Sequence, residues 1–212
     1  MSAQVLLAVA GNIGSGKTTL TRRLVERLGY VGLFESTEAN PYLADFYADM
    51  SRWALAAQLR FLSQRVRMTR ETLRMGRSAI QDRTAYEDVD IFAANLHGRG
   101  DMDARDYETY RLVAEQLLEG ERAPDLLVYL RRDVDGCLRN IAARGREYEG
   151  SMPRDYLTDL GQRYDAWFGA WRRSPSLCID AAEHDFLRSD RDLDALVARI
   201  EEALPQRSLP FR

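Results

Sequence analysis

The segment GNIGSGKT at residues 11–18, called the phosphate loop below, most constrains the fold because it matches the phosphate-binding pattern G-x-x-x-x-G-K-[ST]. An apolar run at residues 5–10 precedes it, and Leu20, Leu24 and Leu28 follow it at helical spacing. The loop therefore stands between a buried strand and an amphipathic helix. In that setting its backbone amides and the helix N-terminus point at a bound anion.

The chemistry of the phosphate loop predicts ATP and Mg²⁺ as ligands. The lysine would reach the outer phosphates, and the hydroxyl of the residue after it would bind Mg²⁺. The Asn-Lys-x-Asp sequence with which GTPases read guanine is absent, and motor-type ATPases usually have longer chains than these 212 residues. A small-molecule kinase is favoured. The predicted ATP-binding residues of the loop are Gly11, Asn12, Ile13, Gly14, Ser15, Gly16, Lys17, Thr18 and Thr19.

The rest of the chain alternates short apolar runs with helical patterns, which indicates a parallel sheet covered on both faces. We predict an α/β fold of the P-loop NTPase type, in which residues 1–212 form a single domain with a five-stranded parallel sheet. A polar lid loop at 144–152 and a loose tail at 205–212 complete it. The predicted strands are 5–10, 30–34, 79–81, 125–130 and 177–179, and the helices after the first are 41–50, 51–75, 85–96, 103–119, 134–143, 153–171 and 191–204.

Charge and hydropathy exclude several classes of partner. The net charge is −3 and the pI is about 5.6, so the chain has no electrostatic reason to bind nucleic acid or an anionic membrane. No run approaches the roughly 18 apolar residues of a membrane span. The apolar N-terminus lacks the basic start of a signal peptide. We expect a cytoplasmic protein in which Cys137 and Cys178 are buried free thiols.

Charged residues follow the ends of the predicted strands, where ligands bind in open parallel sheets. Phosphoryl transfer to a hydroxyl needs a base, positive charge around the transferred group and a metal ligand. Glu35 is a candidate base. Asp82 is a candidate ligand of Mg²⁺, directly or through water. Arg83, together with Arg144 and Arg146 of the lid loop, is a candidate for stabilising the developing charge. Taken singly, each is equally well an ordinary solvated or ion-paired loop residue.

Several separate motifs occur in one order along nearly the whole chain: GNIGSGKTTL at 11–20, FES at 34–36, NPYLADFYAD at 40–49, DRTAYEDVDIFAANL at 82–96 and RGREYE at 144–149. With these motifs the sequence resembles the deoxyribonucleoside kinase family, which includes deoxycytidine, deoxyguanosine and bacterial deoxyadenosine kinases. The resemblance implies that Glu35 accepts the proton of the sugar 5′-hydroxyl. It also implies that Arg83 contacts the 5′ oxygen and the phosphate, and that Tyr47 and Glu149 hold the 3′-hydroxyl.

The resemblance also implies a base-binding set. Gln58 would hydrogen-bond the base, Phe92 would stack on it, and Arg65 with Asp88 would form a polar pair at its far edge. Gln58 and Arg65 are seven residues apart and share a face of the long helix. A glutamine amide offers a donor and an acceptor to a base edge. Without the resemblance, a solvated helix face would be the preferred interpretation of this pair.

The sequence both matches the family and departs from it. Arg144 and Arg146 match arginines that close over ATP, whereas Asn140 stands where relatives often place a further lid arginine. Ser36 stands where many members have proline, and Thr84 replaces a serine. The number of arginines that contact phosphate is therefore an open question at the sequence level.

The function predicted from these features is ATP- and Mg²⁺-dependent transfer of the γ-phosphoryl group to the 5′-hydroxyl of a deoxyribonucleoside, in nucleotide salvage. The polar pair of Arg65 and Asp88 favours deoxyadenosine or deoxyguanosine, with deoxycytidine close behind, and the family implies a homodimer. One alternative is a monophosphate kinase of the thymidylate type, although Glu35 and Glu149 would repel a second phosphate. Another is a non-catalytic nucleotide sensor, which would not need a base.

Overall fold

The computed structural model describes residues 4–34, 40–146, 152–186 and 189–204. In this part of the chain five parallel strands form one sheet in the order β2-β3-β1-β4-β5. This arrangement confirms the predicted α/β fold with a five-stranded parallel sheet. The strands are β1 Leu6–Ala10, β2 Val31–Leu33, β3 Ala79–Asp82, β4 Leu126–Arg131 and β5 Ser176–Asp180.

The helices follow the predicted order, with one departure. The segment predicted as one helix at 85–96 is α4 Ala85–Glu87, a π-helical segment Asp88–Ala93 and α5 Ala94–Arg99 in succession. π-helical turns inside longer helices occur often at functional sites. The other helices are α1 Lys17–Leu28, α2 Leu43–Ala48, α3 Met50–Arg74, α6 Ala104–Leu118, α7 Val134–Arg144, α8 Arg154–Ala170 and α9 Asp190–Ala203.

The core explains why the central strand is apolar throughout. Every residue of β1 is buried because helices cover both faces of the sheet. Alternate strand residues point to opposite faces, so Ala8 joins one apolar cluster with side chains of α3, α6 and α8. Leu7 and Val9 join a second cluster with α1 and α9. No helix in the described part of the chain is long and apolar enough to cross a bilayer.

The edge strand β5 corrects one prediction. Ile179 is buried against the second cluster, but the neighbouring Cys178 is exposed. An edge strand pairs on one side only, and here the face that carries Cys178 has no full helical cover. The prediction of two buried thiols is therefore wrong for Cys178 and correct for Cys137, which lies in α7.

The strand order determines where a ligand can bind. β1 pairs with β3 on one side and with β4 on the other. The chain after β1 forms β2 and β3 on one side and then crosses to β4 and β5 on the other, so the crevice at the carboxyl end of β1 is a topological switch point. Val9 of β1 is in register with Asp82 of β3. The phosphate loop, which follows β1, and the segment Asp82-Arg83 therefore lie next to each other.

Candidate active site

The phosphate loop is shaped by glycines at positions where a side chain does not fit. Gly14 has φ 78° and Gly16 has φ 100°, both in the left-handed region. A Cβ at Gly14 would lie 2.4 Å from the carbonyl oxygen of Cys137, so α7 packs directly on the loop. Lys17 begins α1, is buried, and donates from Nζ to the Asn12 carbonyl at 3.2 Å. The loop thus encloses its lysine.

Two side chains that follow β4 hold carbonyl groups of the loop. Arg132 donates from Nε to the Ser15 carbonyl at 2.9 Å, and Asn140 donates from Nδ2 to the Gly14 carbonyl at 2.7 Å. Each bond occupies a carbonyl that would repel a phosphate. Asn140 therefore contacts the loop backbone at the position where the resemblance implied a further lid arginine. Sequence reasoning missed Arg132, although its place directly after a central strand is a usable signal.

Thr18 and Asp82, the predicted metal ligands, are in contact. The Thr18 hydroxyl donates to Oδ2 of Asp82. Asp82 is 5% exposed, and its Oδ1 is buried with no hydrogen-bond partner among the described residues. No cluster of three or more acidic, histidine or cysteine side chains suited to a metal occurs in the described ranges. The pair fits Mg²⁺, which usually takes one or two protein oxygens together with phosphate and water.

Arg83 is the one described residue other than glycine with a positive φ, 79°. That conformation costs a non-glycine residue roughly 1–2 kcal/mol, and such strain clusters at functional sites. Two bonds hold the backbone: the Arg83 N–H donates to the Val9 carbonyl at 3.0 Å, and Arg65 donates from Nη1 to the Arg83 carbonyl at 3.2 Å. The guanidinium carbon lies 4.1 Å from the centroid of the Phe92 ring.

The predicted pair Arg65 and Asp88 is a buried ion pair. Nε of Arg65 lies 2.7 Å from Oδ2 of Asp88, and Nη2 lies 3.3 Å from Oδ1. The exposed fractions of the two side chains are 3% and 4%. Asp88 lines the pocket described next, whereas Arg65 is not among its described lining residues. The π-helical segment carries both Asp88 and Phe92.

A pocket called the inner pocket opens between the phosphate loop and helices α2, α3 and α8. It brings together most of the predicted site residues. Glu35 and Glu149 lie outside the described residues. The predicted site residues that line the inner pocket are Ile13, Gly14, Lys17, Thr18, Tyr47, Gln58, Asp82, Arg83, Asp88, Phe92, Arg144 and Arg146.

Gln58 lines the inner pocket, although helical periodicity alone would place its side chain in solvent. It is 3% exposed, and its Oε1 is buried without a hydrogen-bond partner among the described residues. Such an atom costs free energy unless a ligand or water binds it. Sequence reasoning missed Phe46, Phe61 and Tyr156, which also line the pocket. Their apolar helical spacing looks the same as ordinary core packing.

A second pocket, called the outer pocket, lies on the other side of the phosphate loop. It is lined by loop residues together with Arg132, Asn140 and the segment after β5 that includes His184 and Phe186. The two pockets share Lys17 and Thr18, and both are lined by arginines of the lid loop. The residues that line both are Gly14, Lys17, Thr18, Arg22, Arg144 and Arg146. Two ligands bound in them would meet at Lys17 and Thr18.

Arg22 is a lining residue that sequence reasoning also missed. It lies on α1 four residues after Thr18, and residues four apart on a helix share a face. Its guanidinium carbon lies 5.6 Å from the centroid of the Phe34 ring at the end of β2. The spacing from Thr18 is the signal that would have identified it.

Comparisons with known proteins show which family the chain belongs to. The family model described as deoxynucleoside kinase matches residues 7–205. A deoxyadenosine/deoxycytidine kinase of Bacillus subtilis is 34% identical over 94% of this chain and 93% of its own length. A deoxyguanosine kinase of Lactobacillus acidophilus is 32% identical over 95% of this chain and 91% of its own.

Solved structures give the same result. Deoxyadenosine kinase from M. mycoides, solved with products dCMP and a flexible dCDP, superposes with a TM-score of 0.84 at 25% identity. The match covers 93% of this chain and all of that one. The same enzyme has been solved with bound dATP, and that structure superposes with a TM-score of 0.82. The chain therefore belongs to the deoxynucleoside kinase family and is a phosphotransferase that acts on deoxynucleosides.

Proposed function

We propose that this kinase transfers the γ-phosphoryl group of ATP to the 5′-hydroxyl of a purine deoxynucleoside, deoxyadenosine or deoxyguanosine, with deoxycytidine as a further acceptor. One observation carries the proposal: the inner and outer pockets meet at Lys17 and Thr18. A donor triphosphate in the outer pocket and a nucleoside in the inner pocket would bring their reacting groups together there. Positioning of this kind supplies much of the catalysis in phosphoryl transfer.

The proposed chemistry assigns one task to each charged side chain. Glu35 accepts the proton of the 5′-hydroxyl while the hydroxyl oxygen attacks the γ-phosphorus. The bond between the γ-phosphorus and the oxygen that bridges it to the β-phosphate breaks. Lys17 and Arg83 stabilise the negative charge on the transferred group and the leaving phosphate. Thr18 and Asp82 would hold Mg²⁺, which neutralises phosphate charge when bound.

The acceptor is held by the inner pocket in this proposal. Oε1 of Gln58, which finds no partner in the described part of the chain, would accept from an exocyclic amine of the base, and Phe92 would stack on the ring. Asp88, held by Arg65, lies at the far edge of the base. Tyr47, with Glu149, would hold the 3′-hydroxyl. A carboxylate and an amide oxygen both favour bases that carry an amine.

The lid loop contributes on the donor side. Arg144 ends α7 and lines both pockets, as does Arg146. We propose that the two guanidinium groups close over the phosphates of ATP, since paired donors of this geometry bind phosphate oxygens well. The bond from Asn140 to the Gly14 carbonyl supports a smaller set of phosphate-contacting arginines than relatives with a further lid arginine have.

A phosphorylation assay tests the function. Purified protein with ATP and Mg²⁺ is offered each of the four deoxynucleosides and the four deoxynucleoside monophosphates. Deoxyadenosine and deoxyguanosine should give the highest kcat/KM, with deoxycytidine next. Turnover of monophosphates alone would contradict the proposal, and a preference for thymidine would contradict the assignment of the base pocket.

The Glu35→Gln variant tests the proposed base. We expect kcat to fall at least about 100-fold, as removal of a general base typically costs, while the affinity for ATP is retained. Glu38→Gln, three residues later in the chain, is the matched control and should keep wild-type kcat. An unchanged kcat in Glu35→Gln would exclude this residue as the base.

We further propose that the chain is a single cytoplasmic domain that works as a homodimer. Membership of the family supports this proposal. The apolar side chains of Leu112 and Val113, which are exposed on α6, support the dimer in particular. Light scattering coupled to size exclusion should give twice the 24.3 kDa of the chain. A mass of one chain at micromolar concentration would argue against the dimer.

A further inference from the structure

Glu87, the last residue of α4, is a fully buried carboxylate to which none of the roles above is assigned. Four donors converge on it. Oε2 accepts from the Thr84 N–H at 2.6 Å and from the Thr84 hydroxyl at 3.1 Å. Oε1 accepts from the Tyr164 hydroxyl at 2.8 Å and from the Gly11 N–H at 3.4 Å. Each of these four contacts thus pairs the carboxylate with a donor.

Half of this arrangement has an ordinary structural explanation. Thr84 is the N-cap of α4, and its reciprocal bonds with Glu87 form a capping box. The cap uses only Oε2. The other oxygen reaches the first residue of the phosphate loop, 76 positions earlier in the chain. A helix cap does not require that second contact, so the contact with Gly11 needs a separate reason.

The backbone at Gly11 leaves little freedom of position. A Cβ there would lie 2.7 Å from Oγ of Ser15 and 2.8 Å from the Leu130 carbonyl oxygen. A side chain at Gly11 therefore does not fit between Ser15 and Leu130, and Glu87 provides the described acceptor of the Gly11 amide. Tyr164 supports the carboxylate from α8. Burial and the nearby Glu87 raise the pKa of Tyr164 well above its usual value, so the phenol stays protonated and donates.

The same carboxylate holds the peptide that follows Arg83. The left-handed backbone of Arg83 is bonded to Val9 on the amide side and to Arg65 at the carbonyl. The next amide, that of Thr84, donates to Glu87 at 2.6 Å. Glu87 thereby bonds the start of the phosphate loop with one oxygen and the residue after Arg83 with the other.

We propose that Glu87 is a positioning residue for phosphoryl transfer, which sets the phosphate loop and Arg83 at a fixed distance from each other. The inference rests on the proposed roles of the loop and of Arg83. A ligand that spans the two pockets needs both groups in place at once, and an error of about 1 Å in such a geometry can cost a factor of roughly 100 in rate.

The first test compares Glu87→Gln with Tyr164→Phe. A glutamine of the same shape must present N–H groups to one of the two sides, so either Gly11 or Thr84 faces a donor. We expect kcat for the preferred deoxynucleoside to fall about tenfold or more, with both KM values within about twofold. Tyr164→Phe removes only the donor from α8. It should lower Tm but leave kcat within about twofold.

The second test reads the Gly11 amide directly. The chain has 14 glycines, few enough for a resolved spectrum of ¹⁵N-glycine-labelled protein. Loss of the carboxylate should shift the Gly11 resonance and speed its hydrogen exchange in Glu87→Gln but not in Tyr164→Phe. Glu87→Asp keeps the charge and lacks one methylene group, so it cannot reach both sides. Glu87→Asp should therefore show the same loss of kcat as Glu87→Gln. It replaces the glutamine variant in the test if that variant does not fold.

Three results would overturn the inference. Folded Glu87→Gln or Glu87→Asp could keep wild-type kcat. All variants, including Tyr164→Phe, could lose kcat in proportion to their loss of Tm, which would reduce Glu87 to a stabilising cap. The Gly11 resonance could be unaffected. A wild-type protein without deoxynucleoside kinase activity would instead refute the proposed function, while the Gly11 spectrum would still report on the contact.

Discussion

At the scale of single residues, Arg65 connects Asp88, which lines the inner pocket, to the loop that carries Arg83. Its Nε and Nη2 bind Asp88, and its Nη1 donates to the carbonyls of Asp82 and Arg83 at 3.1 and 3.2 Å. A guanidinium has five donors in a rigid fork, so it can serve a carboxylate and two carbonyls together. One buried side chain thus holds Asp88, the proposed acceptor for the base, and supports the strained Arg83.

The variant Arg65→Lys tests this account of the buried arginine. A lysine keeps the charge but presents one compact ammonium, which cannot satisfy Asp88 and both carbonyls. We expect the free energy of unfolding to fall by about 2–4 kcal/mol, because buried acceptors lose partners. Urea denaturation measures it. Arg67→Lys, at an exposed position of the same helix, is the control and should change stability by less than about 0.5 kcal/mol.

Equal stability of Arg65→Lys and Arg67→Lys would contradict the structural role given to Arg65. The comparison also separates stability from recognition. If Arg65 acts on the base through Asp88, kcat/KM should fall further for the preferred deoxynucleoside than for poor acceptors. A uniform fall across all acceptors would point to general misfolding of the pocket.

At the scale of elements, the sequence predicted what depends on local pattern. The short apolar runs gave the strands, and the glycine pattern with its flanking strand and helix gave the phosphate loop. Contacts between distant segments were out of reach. Arg65 looked solvated because its partner Asp88 is 23 residues further along, and Gln58 looked solvated because its burial depends on the packing of α3 in the pocket. Charged side chains become buried only with such partners.

The same limit applies to Glu87 and to the edge strand. Glu87 is recognisable in the sequence as a capping-box residue three positions after Thr84, but its bonds to Gly11 and Tyr164 depend on how three elements pack. Cys178 stands in an apolar run that looks buried. Its exposure follows from the position of β5 at the edge of the sheet, which local pattern does not specify.

The two cysteines give a prediction about these elements. Cys137 lies in α7 against the phosphate loop, where burial raises the pKa of its thiol to about 11. Only the thiolate reacts, so this thiol should resist alkylation. Cys178 is exposed on β5 and open to the reagent, although partial burial raises the pKa of its thiol as well. Native protein treated with iodoacetamide at pH 8 should be modified at Cys178, and at Cys137 only after unfolding.

Peptide mapping by mass spectrometry locates the label in that experiment. Cys178→Ser is the control, and this variant should take up no label within the time that saturates the wild type. Rapid labelling of Cys137 in native protein would mean that α7 separates from the phosphate loop. That outcome would conflict with the close approach of Gly14 to the Cys137 carbonyl.

At the scale of the whole molecule, one face of the sheet is packed with tyrosines. Tyr110, Tyr156 and Tyr164 are almost completely buried in the cluster formed with α6 and α8, and Tyr129 of β4 lies beside them. Tyr129 stacks on Tyr164 with ring centroids 5.8 Å apart and donates to Asp165 at 2.9 Å. Aromatic rings fill much volume per side chain and prefer such offset or edge contacts.

This packing makes the molecule sensitive to alkali. Burial is the largest cause of the raised pKa of all four tyrosines, and nearby carboxylates add to it: Asp165 for Tyr129 and Asp88 for Tyr110. A tyrosine in the unfolded chain has a pKa near 10. The folded state therefore holds these protons more tightly than the unfolded state. The stabilisation is fully present below about pH 10 and is lost as the pH rises above it, by up to about 1.4 kcal/mol per pH unit for each tyrosine.

An alkaline titration measures this loss. Absorbance at 295 nm counts tyrosinates, and circular dichroism at 222 nm follows the fold in the same samples. Of the 10 tyrosines, the four of this cluster should ionise only in step with loss of the fold, above about pH 10. In guanidinium all 10 should titrate together near pH 10. If native protein titrates all its tyrosines near pH 10 with unchanged dichroism, then water reaches this cluster, and the side of the inner pocket formed by α8 is far more open than its packing implies.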